Sequence, residues 1–365
     1  MNNGKTVSAH QTGIIAGILL FTLKLTTLPS LLYEYNGSGG ILSIIFVMAL
    51  NFLFLLLLVW VKKKFPNEDF YAILCKRLGV IVTKIIYFAF FAFFFFKILL
   101  IISDSFTFIK DVVDEEFSLF NLFICLLPII TAMAYSGIRT MARTCEFFFP
   151  VIIICFVLAI AFAVVPEVNF GMGALTREGF SGFFSSLFRL SFWTGDLFAL
   201  LIFMDKIEIK KGKLKQIFIP FIISVVVLVV VSAMYYLLYQ ETSLFHTNLI
   251  SDVVQYAIGT ASGWHMDIFA IVVFLFNIYL QGSIFMYCAN ECFKKVFNFK
   301  NTVISYGFIN LMLLAAEFLY LNDYLKYVAF AENTLCYFAT AILILVPLML
   351  AIFTWLKKEK KHETG

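Results

Sequence analysis

Charge is scarce in this chain. Only 14% of its 365 residues are Asp, Glu, Lys or Arg, where soluble domains carry about 25%. A fold of this composition in water would expose large apolar patches and aggregate, which excludes an ordinary soluble domain. Histidine is limited to 4 residues. The seven cysteines (Cys75, Cys125, Cys145, Cys155, Cys288, Cys292 and Cys336) contain no C-x-x-C pair, so neither a zinc motif nor a disulfide framework is present. Most lie in apolar runs and read as small buried hydrophobes. Cys288 and Cys292 share a helix face, but a metal site needs further ligands there. Phosphate-binding glycine loops and nucleophile elbows are also missing, and no cofactor is expected. The first apolar run has no small-residue cleavage site after it and reads as a retained membrane span.

What the chain has is apolar length. It is 62% hydrophobic with a mean hydropathy of +0.96 and 46 phenylalanines. A helix needs about 20 mostly apolar residues to cross the hydrocarbon core. Ten runs qualify: 10–33, 40–61, 81–108, 118–135 and 145–165, then 183–204, 216–239, 264–290, 302–321 and 334–356. The expected fold is an all-α membrane protein of about ten transmembrane helices. Residues 1–9 form a short N-terminal tail, 10–356 a single transmembrane domain, and 357–365 a basic C-terminal tail. The run Phe93 to Phe96 reads as lipid or core contact, and Gly13 with Gly17 as a small-xxx-small face for close helix packing.

Net charge is +4, and its distribution is more informative than its sum. One set of connections holds Lys5; Lys62 to Lys64, Lys76, Arg77 and Lys84; Arg139 and Arg143; Lys206 to Lys215; Lys294, Lys295 and Lys300; and Lys357 to Lys361. The opposite set holds only Lys110, Arg177 and Lys326, beside acidic Asp111, Asp114, Glu115, Glu116, Glu241 and Asp252. By the positive-inside rule both termini are predicted cytoplasmic. The basic connections suit anionic lipid heads, and nucleic acid is not indicated.

Ten spans divide five and five, so the second half (183–356) crosses in the opposite sense to the first (10–165), as an inverted repeat requires. Irregular backbone is then expected in spans one and six. Span one contains Thr22, Lys24, Thr26, Thr27 and Pro29; proline removes a helical N–H, and the hydroxyls can satisfy backbone groups that open there. Span six contains Ser191, Phe192, Trp193, Thr194, Gly195 and Asp196, with Gly195 permissive of non-helical backbone. The plainer alternative is a proline kink and an ordinary glycine. Lys24 lies roughly 13 Å from the outer end at 1.5 Å per residue, too deep to snorkel easily. It can act as a fixed cation, exchange a proton, or pair structurally with Asp196 or Asp104. Lys97 is also mid-span, and its rise to Asp104 is about 10 Å, too far for direct pairing; it is a candidate ligand contact, or it locks span three to a neighbour. Asn277 and Gln281 line one face of span eight near Ser283, positioned for a ligand or for a neighbouring helix. His265 and Asp267 read as a solvated cap.

The turn between spans four and five reads Gly137-Ile138-Arg139-Thr140-Met141-Ala142-Arg143-Thr144-Cys145-Glu146, followed by Pro150. This G-x-R-x-x-A-R-x-x-E pattern resembles the corresponding turn of the B-subunit permeases of spore germinant receptors, a branch of the amino acid/polyamine/organocation transporter superfamily. The Leu28-Pro29-Ser30 end of span one, the Trp193-to-Asp196 stretch and the basic loop at 206–215 agree with it. The resemblance implies the five-plus-five inverted fold of LeuT type, with discontinuous helices one and six. It implies a small nutrient, an amino acid above all, held between spans one, three, six and eight. It also implies the inner membrane of a bacterial endospore, with an A subunit and a C-subunit lipoprotein as partners in a germinant sensor. The chain departs from the superfamily at Leu23-Lys24-Leu25, where glycines are usual, which puts ordinary sodium coupling in doubt. A cation-coupled amino-acid transporter is the alternative reading and an assembly scaffold another; an enzyme has little support, because no paired carboxylates or nucleophile–base spacing recurs at one depth.

Overall fold

A computed structural model describes residues 6–21, 28–66, 68–112, 119–163, 179–210, 212–239, 242–243, 267–320 and 324–356. The helices are α1 (Ala9–Phe21), α2 (Leu28–Asn36), α3 (Gly40–Lys64), α4 (Phe70–Leu78), α5 (Val80–Val112), α6 (Leu119–Tyr135) and α7 (Ile138–Ala163). They continue with α8 (Gly179–Arg189), α9 (Ala199–Ile202), α10 (Lys215–Tyr239), α11 (Asp267–Phe297), α12 (Thr302–Tyr320), α13 (Tyr324–Phe330) and α14 (Cys336–Leu356). Six described helices are long and apolar enough by themselves to cross a membrane: 40–64, 80–110, 138–158, 215–239, 271–297 and 326–356. Shorter apolar helices cover 9–21, 120–135 and 302–317. The predicted sixth span is the stretch that splits into α8, two 3₁₀ turns and α9. Several helices outrun their hydropathy windows: span five begins at Ile138, span eight continues to Phe297, and span ten starts at Tyr324 through a π-helical turn, Ala331–Leu335.

Burial separates scaffold from rim. In spans three and eight, 67% and 72% of the apolar window is buried, against 33–44% in spans two, five, seven and ten. The rim helices are one-sided. In α3, Ser43, Val47, Asn51, Phe54, Leu58 and Val61 face inward at helical spacing, while Leu42, Ile45, Leu50, Leu53 and Trp60 face outward. That outward face is apolar because its solvent is lipid. By contrast α1 is buried on nearly every side, as expected of a helix that is hydrophobic all round. It can pack so closely because of its glycines: a Cβ on Gly13 would lie 2.3 Å from the Ile217 carbonyl oxygen of α10, and one on Gly17 2.3 Å from Ser224 Oγ.

The lysine-rich end has structure that hydropathy did not forecast. Val7–Ser8 pairs in parallel with Ile207–Glu208 as a two-stranded ribbon. Helix α4 starts at Asp69, whose carboxylate accepts from the Tyr71 N–H at 3.3 Å, and it stops at Gly79, φ +80°. Asp69 also pairs with Lys295 of α11, whose ammonium lies over the Tyr71 and Tyr87 rings. Lys206 donates to the Tyr287 hydroxyl, and Lys62 to the carbonyls of Pro66 and Asp205.

Candidate binding site at the broken sixth span

The sixth span breaks where its sequence turns polar. A 3₁₀ turn at Ser191–Trp193 is followed by extended Thr194, then by Gly195 at φ +81°, ψ 7°, and a second 3₁₀ turn at Asp196–Phe198. The left-handed conformation at Gly195 is one that residues with a Cβ rarely adopt. The turn is held by its own hydroxyls. Thr194 Oγ1 donates to the Ser191 carbonyl at 2.7 Å, and Ser191 Oγ donates to the Cys336 carbonyl of span ten at 3.0 Å. Thr340 Oγ1 donates in turn to Ser191 Oγ at 2.9 Å.

On the inner side of this break lies a buried ion pair. Lys97 Nζ of span three is 2.6 Å from Asp196 Oδ1, and the two side chains are 0% and 1% exposed. The ammonium also lies over the rings of Phe93 (5.5 Å) and Phe192 (5.2 Å), whose negative faces favour a cation. Lys97 thus joins span three to the broken segment. Trp193 is fully buried, and its indole Nε1 has no hydrogen-bond partner among the described residues.

Span eight approaches from the other direction. Gln281 Nε2 donates to the Leu19 carbonyl at 3.3 Å, two residues before α1 ends, and Asn277 Nδ2 donates to Val273 within its own helix at 2.9 Å. The amide oxygens of both side chains are buried without a hydrogen-bond partner among the described residues. Span eight touches span six through Cys288 Sγ and the Ala199 carbonyl, 3.6 Å apart, and span three through the Phe94 and Phe285 rings. Helix α1 packs on the Asp196–Phe198 turn. Spans one, three, six and eight thus meet around this locus. Thr22, Lys24, Thr26 and Thr27 lie outside the described residues, as does His265; α1 and α2 stand on either side of the first group.

The turn motif does structural work at the lysine-rich end. Gly137 adopts φ +92°, which lets α6 reverse into α7. Glu146 accepts from Gln11 Nε2 at 2.8 Å and lies 3.2 Å from His10 Nδ1, tying α7 to the start of span one. Arg139 is half-buried and Arg143 exposed on the same turn.

Two acidic side chains went unnoticed in the sequence. Glu332, in the π-helical turn, accepts from the Tyr35 hydroxyl at 3.0 Å, and Arg189 lies over the Tyr35 ring. Glu317 of α12 is buried with both carboxylate oxygens unpartnered among the described residues. Their signal was simply an acid inside an apolar run, the default mark of a functional candidate.

A bundle with two buried central helices, a helix broken at a charged pair, and an apolar outer surface is that of a multi-pass membrane permease or transporter. Its architecture is similar to that of a Na+-coupled sialic acid symporter solved in a substrate-bound, outward-open state. The TM-score is 0.60 at 12% identity, covering 96% of this chain and 78% of that one. Residues 6–324 match the model of the spore germination protein family, and the chain belongs to that family. No curated protein sequence matches it.

Proposed function

We propose that the chain is the nutrient-sensing membrane subunit of a spore germination receptor, and that it binds an amino acid between spans one, three, six and eight. The observation that carries this reading is the sealed Lys97–Asp196 pair at the break in span six. A zwitterion is complementary to such a pair: its carboxylate can replace Asp196 beside Lys97, and its ammonium can replace Lys97 beside Asp196. The Trp193 indole N–H, unpartnered among the described residues, suits the carboxylate, and the Asn277 and Gln281 oxygens, likewise unpartnered among them, suit the ammonium. Thr22, Lys24, Thr26, Thr27, Ser191, Thr194 and Gly195 complete the proposed site. Binding that trades one ion pair for two shifts the balance between arrangements of spans three and six, and about 1.4 kcal/mol of preference changes that ratio tenfold. The lysine-rich end, including both termini, faces the cytoplasm in this reading. The membrane is the inner membrane of the endospore, where an A subunit and a C-subunit lipoprotein are the partners.

The likeness to a coupled symporter supports a second reading, an amino-acid transporter driven by protons or another cation. Purified protein in liposomes separates the two. The sensor reading expects saturable binding of a radiolabelled amino acid, weakened at least about tenfold in Asp196→Asn and Lys97→Met, with no accumulation inside the vesicles. Accumulation driven by an ion gradient would establish the transporter instead. Folded wild-type protein that binds none of the twenty amino acids would overturn both.

A further inference from the structure

The broken span also borders a cavity whose lining includes neither Lys97 nor Asp196. This cavity, of about 530 Å³, lies between spans two, six and ten, within the roughly 300–1,000 Å³ typical of small-molecule sites. Its rim includes Leu50, Leu53, Phe184 and Ile344, all exposed on the outer face of membrane-spanning helices, so the mouth opens to lipid. Whatever enters must therefore dissolve in the bilayer.

The floor is polar and offers mostly acceptors. The hydroxyl protons of Thr340 and Thr194 are both committed to Ser191, leaving the two oxygens as acceptors. Asn51 spends one of its two amide N–H groups on the Val47 carbonyl and keeps its side-chain oxygen and the second N–H. Pro347, also in the wall, removes the N–H that would otherwise close on the Leu343 carbonyl. Among the described residues no charged side chain lines the cavity, so a charged head would find no counter-ion among them, which is costly in this surrounding. The vacant positions call for a neutral donor on an otherwise apolar body.

We infer that this cavity is a second binding site, open to the bilayer, for a neutral, medium-sized apolar molecule bearing one hydroxyl group. The hydroxyl donates to the Thr194–Thr340–Asn51 floor, and the apolar body lies against Phe46, Phe188 and Leu343. The occupant rests on Ser191, Thr194 and Gly195 from the lipid side, and so touches the same hinge as the ion pair without touching the ion pair. This inference does not depend on the chain being an amino-acid sensor.

The test is photolabelling of the full chain in lipid nanodiscs with a diazirine-bearing decanol, and separately with the matching decanoate, followed by peptide mapping. Adducts are expected to concentrate on the Phe184–Phe188 and Leu343–Ile344 segments and to be displaced by unlabelled decanol. Decanoate is expected to label them at least about fivefold less, reflecting the missing counter-ion. Leu50→Trp and Ile344→Trp fill the mouth from opposite walls at lipid-facing positions, and each should cut labelling by decanol about fivefold. Gel filtration identifies a misfolded variant, and the other wall then decides. Labelling spread evenly over outward residues such as Val226 and Leu311 would overturn the inference. So would equal labelling by decanoate, or full labelling in a folded rim variant.

Discussion

Lys97 and Asp196 are both withheld from water, and breaking a buried pair by removing one charge costs about 3–5 kcal/mol. Lys97→Met and Asp196→Asn should each lower the melting temperature in detergent, while the double variant recovers much of the loss; additive losses would show that the pair is not coupled. Gly195 presents a different constraint. A Cβ there would meet Leu343, Phe198 and Phe93 side-chain carbons at 3.2–3.3 Å and would force a residue with a side chain into φ +81°. Gly195→Ala should therefore cost more than about 1 kcal/mol, read by the same melting experiment; a neutral effect would mean that the break relaxes freely. At this scale the sequence was only partly legible. Gly195 and Asp196 announced the break by residue type. The partner of Asp196 could not be read, because Lys97 lies 99 positions away and Lys24 offered an equally placed ammonium. Burial of the amide oxygens of Asn277 and Gln281 is likewise a property of packing and leaves no mark in the chain.

Helices show where local pattern carries further. The Gly13–Gly17 spacing pointed to a close neighbour, and α10 is that neighbour, with the Ile217 carbonyl filling the space a side chain would need. Gly13→Val should push α1 off α10 and reduce the monodisperse fraction on fluorescence-detected size exclusion, whereas an outward glycine such as Gly307, with nothing within 4 Å of its Cβ position, should accept alanine without loss. A normal elution profile for Gly13→Val would show that the two helices can part. Apolar length located the long helices well, since hydropathy reads what lipid demands. It said nothing of α4, a nine-residue helix whose Asp69 cap was present but whose run was too short and polar for a span. Nor did it find the π-helical turn at Ala331–Leu335, which carries Glu332 against Tyr35 and has no sequence signature of its own.

Across the whole molecule, the two ends are closed by different chemistry. The lysine-rich end is held by Asp69–Lys295, Lys206–Tyr287 and the Lys62 contacts to backbone carbonyls, joining spans two, six and eight with the start of α4. The opposite end is joined by Tyr35–Glu332 and by the Tyr236 hydroxyl, which donates to the Pro29 carbonyl at 2.7 Å. Cys288 and Cys292 are fully buried beneath the first cluster and can report its opening. Asp69→Asn combined with Tyr287→Phe should raise the rate at which a small maleimide modifies these thiols, by about tenfold if roughly 1.4 kcal/mol of closure is lost. An unchanged rate would assign the closure to the aromatic packing around Phe293 instead. The identity of the latches required the tertiary structure, because most of them join residues far apart in the chain.

The ribbon between Val7–Ser8 and Ile207–Glu208 has a mechanical corollary. It splices the start of span one to the exit of span six, the entrance of one half to the tail of the other half's broken helix, while Glu146 grips the same N-terminal stretch from span five. A swing of α1 must therefore haul on the far side of the Gly195 hinge. Helix α1 and the broken sixth span are yoked, and a molecule that tilts one of them steers both.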